Sequence, residues 1–228
     1  MKKIIVTGCS QGIGLFVANG LTKLNYDIYG ISRKKPKSNF DFNFIECDVS
    51  NSDNVKNVFS KFRKDKEVYG LINVAGIASM NLLVTTPDET IKKIIETNLL
   101  GTIYCTKAVI PPMIRSKIGR IINFTSIAVR IGAKGESTYI ASKGGVEAFS
   151  KSIARELSPA NITVNTISPA FIETQLSSGL SAKIKETVIE RQIIESECSL
   201  ADVLDCVKII LSDESKKITG EIFNIGGV

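Results

Sequence analysis

Residues 4–14 read Ile4-Ile5-Val6-Thr7-Gly8-Cys9-Ser10-Gln11-Gly12-Ile13-Gly14, and the fold turns on them. Three apolar β-formers run into a glycine-rich turn, and an apolar-periodic stretch follows from about Ile13 to Leu24. That order predicts a short buried strand, a tight turn and a helix. Glycine lets the backbone turn sharply and approach a pyrophosphate, while the helix N-terminus presents amide N–H groups and a partial positive charge. Gly8, Ser10, Gln11, Gly12, Ile13 and Gly14 are therefore candidate phosphate contacts. The spacing is G-x-x-x-G-x-G rather than G-x-G-x-x-G, and taken alone the segment also reads as a plain turn.

Working outward, strand-like and helix-like stretches alternate. Strands are expected at Asp27–Ile31, through the alternating Phe40, Phe42 and Phe44, and at Gly70–Val74, Arg120–Phe124, Ile162–Ile167 and Glu221–Ile225. Helices are expected at Asn51–Phe62, Thr90–Asn98, Gly101–Ile114, Tyr139–Leu157 and Ala201–Leu211, with an amphipathic stretch over Leu180–Ile194. Such alternation predicts an α/β fold, a doubly wound parallel sheet of Rossmann type with helices on both faces. No linker or repeat interrupts it, so a single domain over residues 1–228 is expected, its dinucleotide-binding half ending near 125.

Composition narrows the chemistry. The chain has 228 residues and no histidine, which removes Ser-His-Asp and Cys-His catalysis and every His-based zinc site. No metal site is expected. Five cysteines, odd in number and with no C-x-x-C pair, suit free thiols in a reducing compartment. Cys9 and Cys47 are expected to pack near the cofactor, and Cys105 in a helix core. The apolar start stops at Thr7-Gly8, too short for a signal peptide, so a cytoplasmic location is expected. The net charge of +6 is spread along the chain, apart from Arg33-Lys34-Lys35 with Lys37. That argues against nucleic-acid binding and for a surface that attracts an anionic cofactor or substrate.

Further motifs follow in order: Asp48-Val49, Asn73-Val74-Ala75-Gly76, Asn98, Ser126, Tyr139-x-x-x-Lys143, Pro169-Ala170-Phe171-Ile172-Glu173-Thr174, Ile218-Thr219-Gly220 and Gly226-Gly227. With the loop at 8–14, this ordered set resembles the short-chain dehydrogenase/reductase family over nearly the whole chain, and within it the 3-oxoacyl-carrier-protein reductases. The resemblance implies adenine contacts from Asp48 and Val49, and cofactor contacts from Asn73, Ala75, Gly76, Pro169, Ile172 and Thr174. It also implies that Lys143 binds the nicotinamide ribose and that Asn98 holds a water linking Lys143 to solvent. A homotetramer, or a dimer given the short C-terminus, is implied through the helices that carry Cys105 and Phe149.

At the end of the second strand, NAD enzymes of this type carry an acid for the ribose 2′-hydroxyl. This chain has Ser32-Arg33 instead. A serine hydroxyl and a planar guanidinium suit a 2′-phosphate, so the expected cofactor is NADP(H), although the same run also suits a solvated basic loop. Tyr139 and Lys143 stand four apart and share a helix face. An ammonium beside the phenol is expected to lower its pKa, which makes Tyr139 the proton-transfer residue of a hydride transfer between nicotinamide and a carbonyl or secondary alcohol carbon. Ser126, just beyond a strand's carboxyl end, is placed to hold the reacting oxygen.

Two departures from the family pattern stand out. Ala170 replaces a glycine, and its Cβ is expected to crowd the backbone near the nicotinamide. The segment 34–39 is too short for a full helix, which would leave the sheet less covered beside the adenosine. Arg115, Lys117 and Arg120 could contribute a docking patch for an acidic carrier, although the same arrangement is what a solvated helix end shows. Leu180, Ile184 and Val188, at helical spacing, suit a substrate lid or core packing alike. A substrate that is a small molecule or carrier-bound carbonyl fits, with no nucleic acid and no membrane as partner. The alternative reading is a non-catalytic dinucleotide sensor or scaffold, which the presence of both Tyr139 and Lys143 disfavours.

Overall fold

The computed structural model describes residues 1–174 and 182–227. Seven strands form one all-parallel sheet in the order β3-β2-β1-β4-β5-β6-β7, with β1 Lys3–Thr7, β2 Asp27–Ser32, β3 Asn43–Glu46, β4 Val68–Asn73, β5 Gly119–Phe124, β6 Ile162–Ser168 and β7 Ile222–Asn224. The order reverses between β1 and β4, and a crevice opens there beyond the carboxyl ends of the strands.

Helices cover both faces because the strands send alternate side chains to opposite sides. Ile4, Val6, Ile72 and Ile122 pack on one face with Val17 and Leu21 of α1 (Gly12–Thr22) and Val203, Val207 and Ile210 of α8 (Leu200–Leu211). Ile5, Leu71, Ile121 and Val164 pack on the other with Val55 and Phe59 of α2 (Ser52–Ser60) and Cys105, Val109 and Met113 of α4 (Gly101–Ser116). Each fully buried aliphatic side chain contributes about 1.5–3 kcal/mol relative to exposure. Ser199 starts α8 with a reciprocal capping box to Asp202, and Asn51 caps α2.

Three elements differ from expectation. Phe40 and Phe42 precede β3 rather than forming part of it. Phe42 instead folds under β2, where Gly30 leaves room; a Cβ on Gly30 would meet its ring at 2.2 Å. Phe40 stacks at 4.9 Å on Phe42, and these rings cover the sheet where the segment has no helix. The bare face expected beside the adenosine is thus plugged by aromatics. Second, α3 (Asp88–Ile95) runs into α4 through a π-turn at Glu96–Leu100 that contains Asn98. Third, the stretch expected as helical to Ile194 forms α7 only over Ala182–Ile189. Leu180 lies outside the described residues, as does the Ile184 side chain. A short α5 (Ala128–Ile131) and the long α6 (Ser137–Leu157) complete the architecture.

Candidate active site

The phosphate end is built from close backbone approach. Gly8 has φ +72°, and a Cβ there would lie 2.7 Å from the Ala75 amide nitrogen, so only glycine fits between the ends of β1 and β4. Thr7 Oγ1 fastens the same junction by accepting the Val74 and Ala75 amides at 3.2 Å each. Gly14 lies against the turn, where a Cβ would be 2.3 Å from the Gly8 carbonyl oxygen. Beyond this tight junction the site opens. At Gly12 a Cβ would meet nothing closer than Thr174 at 3.9 Å. Gln11 precedes α1 without capping it, and the first turn holds no acid. The α1 amides are therefore left for an anion, as a pyrophosphate requires.

Ser32, Arg33, Asp48 and Val49, the residues expected on the adenosine side, lie at or just beyond the ends of β2 and β3. Ser32 is buried, donates to the Lys34 carbonyl at 2.8 Å and lies 3.6 Å from Cys9 Sγ. Its hydroxyl shapes the turn that displays Arg33, which is exposed and has no acidic partner among the described residues. Asp48 Oδ1 accepts from the Ser50 amide at 3.0 Å and its hydroxyl at 2.7 Å. Val49 is buried against Gly101. Burial pushes the Cys9 and Cys47 thiols up to about 11, which leaves them neutral packing groups. The Asn73 side chain turns into the sheet, donating to Asn123 Oδ1 at 2.9 Å and Thr106 Oγ1 at 3.2 Å. Any cofactor contact from Asn73 falls to its main chain.

The candidate reacting centre sits where β5 ends. Tyr139 and Lys143, on the first turns of α6, are both buried, and Lys143 Nζ lies 5.9 Å from the Tyr139 ring centroid. Ser126 follows β5 by two residues, is hydrogen-bonded to Tyr139, and accepts from the Ala128 amide at 3.2 Å. Lys143 Nζ donates to the Phe124 carbonyl at 2.8 Å. Gly76 closes over it, with room for a Cβ only at 3.4 Å from Nζ. Asn98 clamps the main chain of Ile77, accepting its amide at 2.8 Å and donating to its carbonyl at 2.9 Å, and donates to Ser142 Oγ at 3.0 Å. Ser142 is one residue before Lys143, so Asn98 ties the π-turn, the segment after β4 and α6 together.

The electrostatics correct one expectation. Lys143 does not bring the Tyr139 pKa down here. Burial pushes the phenol up to about 12, with the Ser126 hydrogen bond opposing and the Glu136 charge adding to the rise. Burial also pulls Lys143 down to about 8. Both charged forms lose hydration on the dry floor of the site, and at 5.9 Å from the ring the ammonium does not reverse that.

The floor opens into a cleft of about 760 Å³, reached by Gly76, Ser126, Tyr139, Lys143, Pro169 and Ile172 among others. Residues 2–185 match the short chain dehydrogenase family. The chain belongs to that family. The 3-oxoacyl-[acyl-carrier-protein] reductase of Staphylococcus epidermidis is 32% identical to it over 99% of this chain and 98% of the relative. The aldohexose dehydrogenase of Thermoplasma acidophilum superposes with a TM-score of 0.89 at 31% identity, covering 99% of this chain and 93% of that one. A 4-hydroxyisoleucine dehydrogenase solved with NADH superposes with a TM-score of 0.91 at 28% identity, covering 100% and 98%. The protein is an oxidoreductase of the short-chain dehydrogenase type.

Within this short-chain dehydrogenase, two expectations resolve. Ala170 is buried, and its Cβ points at Gly226, where an added Cβ would come within 2.6 Å. Gly226 has φ +82°, so glycine is required there twice over. The alanine is accommodated by the C-terminal glycine instead of by displacing the strand end. The basic docking patch is not formed as expected. Arg120 is buried, donates to the Gly119 carbonyl at 3.1 Å and lies over the Tyr69 ring, while Arg115 donates to the Arg63 carbonyl. Only Lys117 remains free there among the described residues, as the left-handed cap of α4. Cys105 is in the core, as expected, and so is not itself an interface residue.

Two groups of residues carry no motif in the sequence. Glu147 accepts from Thr125 Oγ1 at 2.7 Å and pairs with Arg130 at 2.7 Å, which stiffens the strand end on either side of Ser126. Gln192 is buried and serves three main-chain groups, accepting the Phe171 amide at 2.8 Å and donating to the carbonyls of Ile194 at 3.1 Å and Ser196 at 2.8 Å. Cys198 N–H to the Phe171 carbonyl, at 3.0 Å, and Ile194 N–H to Gly226, at 2.9 Å, complete a latch that holds the segment after α7 against the strand end. Only the side-chain demand of the buried turn reveals Gln192; nothing in its spacing does.

Proposed function

We propose that this protein is an NADP(H)-dependent carbonyl reductase or alcohol dehydrogenase in which Tyr139 is the general acid and base. The observation that carries the reading is the Ser126–Tyr139–Lys143 cluster, with Tyr139 and Lys143 buried and Ser126 half-buried, at the floor of a cleft that also receives Ile13 from the uncapped α1 N-terminus. The open α1 amides and the room at Gly12 fit a pyrophosphate, and exposed Arg33, with no acid beside it, fits a 2′-phosphate. When bound, the cofactor supplies or accepts the hydride and, in its oxidised form, places a positive charge at the site.

The chain's own residues do the rest. Ser126 positions the reacting oxygen by a hydrogen bond, and Tyr139 gives its phenolic proton to that oxygen in reduction or takes it back in oxidation. With the phenol pushed up to about 12, Tyr139 is protonated throughout the neutral range and serves as an acid without prior activation. Lys143 holds a positive charge against the developing phenolate and holds the nicotinamide ribose. The Asn98 amide is committed to Ile77 and Ser142, so the water relay attributed to this residue falls to its main chain. We assign Pro169, Ile172 and Thr174 to the nicotinamide end, and Asp48 and Val49 to the adenine end.

The relatives named for acyl-carrier-protein substrates support a carbonyl borne on a small molecule or a carrier. We further propose one domain over 1–228, a homo-oligomer and a cytoplasmic location; no described helix is long and apolar enough to cross a membrane. The test is NADPH oxidation with keto-acyl, keto-steroid, sugar and small ketone substrates. Turnover with at least one class, faster with NADPH than with NADH, is expected. NADPH binding without turnover on any of them would instead favour a dinucleotide sensor.

A further inference from the structure

The cleft carries an excess of positive charge that hydride transfer does not use. The whole chain holds 29 basic and 23 acidic residues, close to one for one. The described residues lining the cleft include Lys134, Lys143, Lys183 and Arg191 but only Glu136 as an acid. Lys143 is accounted for by the reacting centre. The other three come from two separate stretches. Lys134 lies in the loop between α5 and α6, while Lys183 is on α7 and Arg191 follows just past its end.

These three are not part of the fold's ion-pair network. Nearby cations have acidic partners: Arg130 pairs with Glu147, and Lys185 with Glu173 at 2.5 Å. Lys134, Lys183 and Arg191 have none among the described residues. Lys183 and Thr187 stand four apart on α7, so both fall on one side of the helix, and Arg191 extends that line. Among the described side chains of α7, Lys183, Thr187 and Val188 line the cleft, so cationic, hydroxyl and apolar groups share that face. Glu136 alone cannot balance these cations; burial pushes its carboxyl up from the usual range.

Resting on the oxidoreductase reading above, we infer that the natural substrate carries an anionic group, a carboxylate or a phosphate, which Lys183 and Arg191 bind with Lys134 while its carbonyl reaches Tyr139 and Ser126. Ile127, Ile131 and Phe171 line the same cleft, while the three cations are exposed, so their attraction for the anion is open to screening by salt. The carboxylate of a free oxo acid and the phosphate of a carrier's pantetheine arm share this chemistry, and two pairs of probes separate them.

The experiment compares 5-oxohexanoate with its methyl ester, and acetoacetyl-4′-phosphopantetheine with acetoacetyl-pantetheine, as substrates with NADPH. Within each pair the carbonyl is the same and only the charge differs. Binding of 5-oxohexanoate and its ester to the enzyme–NADP⁺ complex is measured in parallel by calorimetry. At least one pair is expected to show a preference for the charged member of about 10- to 100-fold, the scale of one or two charged hydrogen bonds. Which pair shows it names the source of the anion. The preference should collapse toward unity in Lys183→Gln/Arg191→Gln, with NADPH affinity measured to confirm an intact fold, and should shrink as salt rises. Turnover of both members of each pair at equal kcat/KM would overturn the inference and leave the functional reading standing. Selective binding of the anion with no turnover of any probe would support the anion site and count against the reading on which it rests.

Discussion

The two ends of the cleft are held in different ways. At the phosphate end, β1, β4 and α1 meet through backbone contacts so close that Gly8 and Gly14 admit no side chain. At the substrate end, the chain after β6 reaches the site through Phe171 and a latch made by one buried side chain, Gln192, and by the C-terminal glycines. The first end is a property of the sheet. The second is a segment laid over it, and Gln192 is the side chain that fastens its described part to the strand end. The difference teaches where variation is tolerated: changes on α7 alter what enters the cleft without disturbing the strand ends that hold the reacting groups.

The boundary between the two ends is Lys143, and its substitution is expected to have the largest effect on both. Lys143→Met should lower kcat by about 10²–10⁴-fold, since the charge beside Tyr139 is lost, and should also weaken NADPH. The same change should stabilise the cofactor-free protein. Lys143 is pulled down to about 8 in the fold from 10.5, so below pH 8 it is buried as a cation at a cost of up to about 3 kcal/mol. Wild-type stability from this group should therefore rise as pH climbs from about 8 to 10.5. The melting temperature of Lys143→Met should exceed wild type at pH 7 and the gain should shrink by pH 10. Calorimetric scans at both values check it.

A change confined to the phosphate end should touch only the cofactor. Arg33→Ala is expected to weaken NADPH by about 1.5–3 kcal/mol and leave NADH nearly unchanged, because only NADPH has a 2′-phosphate for the guanidinium. Titration of both nucleotides reads this directly. Equal losses for the two would place Arg33 elsewhere on the cofactor.

The smallest effect is expected from loosening the substrate end. Gln192→Leu leaves the Phe171 amide and two carbonyls without their partner, at about 1–3 kcal/mol of stability. Its KM for a carbonyl substrate should rise several-fold while NADPH affinity stays within about threefold. A larger loss of NADPH than of substrate would show that the two ends are not separable.

How much of this was legible in the sequence follows the same division. The sheet and its parallel order were readable because they rest on period-two and period-3.6 patterns and on glycines whose spacing is fixed by close approach, whereas the candidate catalytic cluster was readable through the ordered motifs of the family resemblance. Ser126, Tyr139 and Lys143 come together as the pattern implies. The direction of the Tyr139 pKa was not readable, since it depends on how dry the floor is rather than on which residues are four apart. Phe40 and Phe42 alternate like a strand but serve as a plug, because Gly30 makes a socket across the chain that no local window shows. Arg120 looked like a docking cation and is a buried one. Gln192 and the pairing of Ala170 with Gly226 depend on contacts between distant segments, and single-residue patterns carry no trace of them.

The central claim is that the proton at the reacting oxygen comes from Tyr139. Single-turnover reduction of a confirmed carbonyl substrate by Tyr139→Phe, with NADPH affinity measured on the same preparation, tests it most directly. Phenylalanine keeps the ring's packing and removes the hydroxyl, so turnover should fall by at least about 10²–10⁴-fold while NADPH binding stays within a few-fold of wild type. Turnover within about tenfold of wild type, with cofactor binding intact, would mean that the proton comes from another group and would contradict the account.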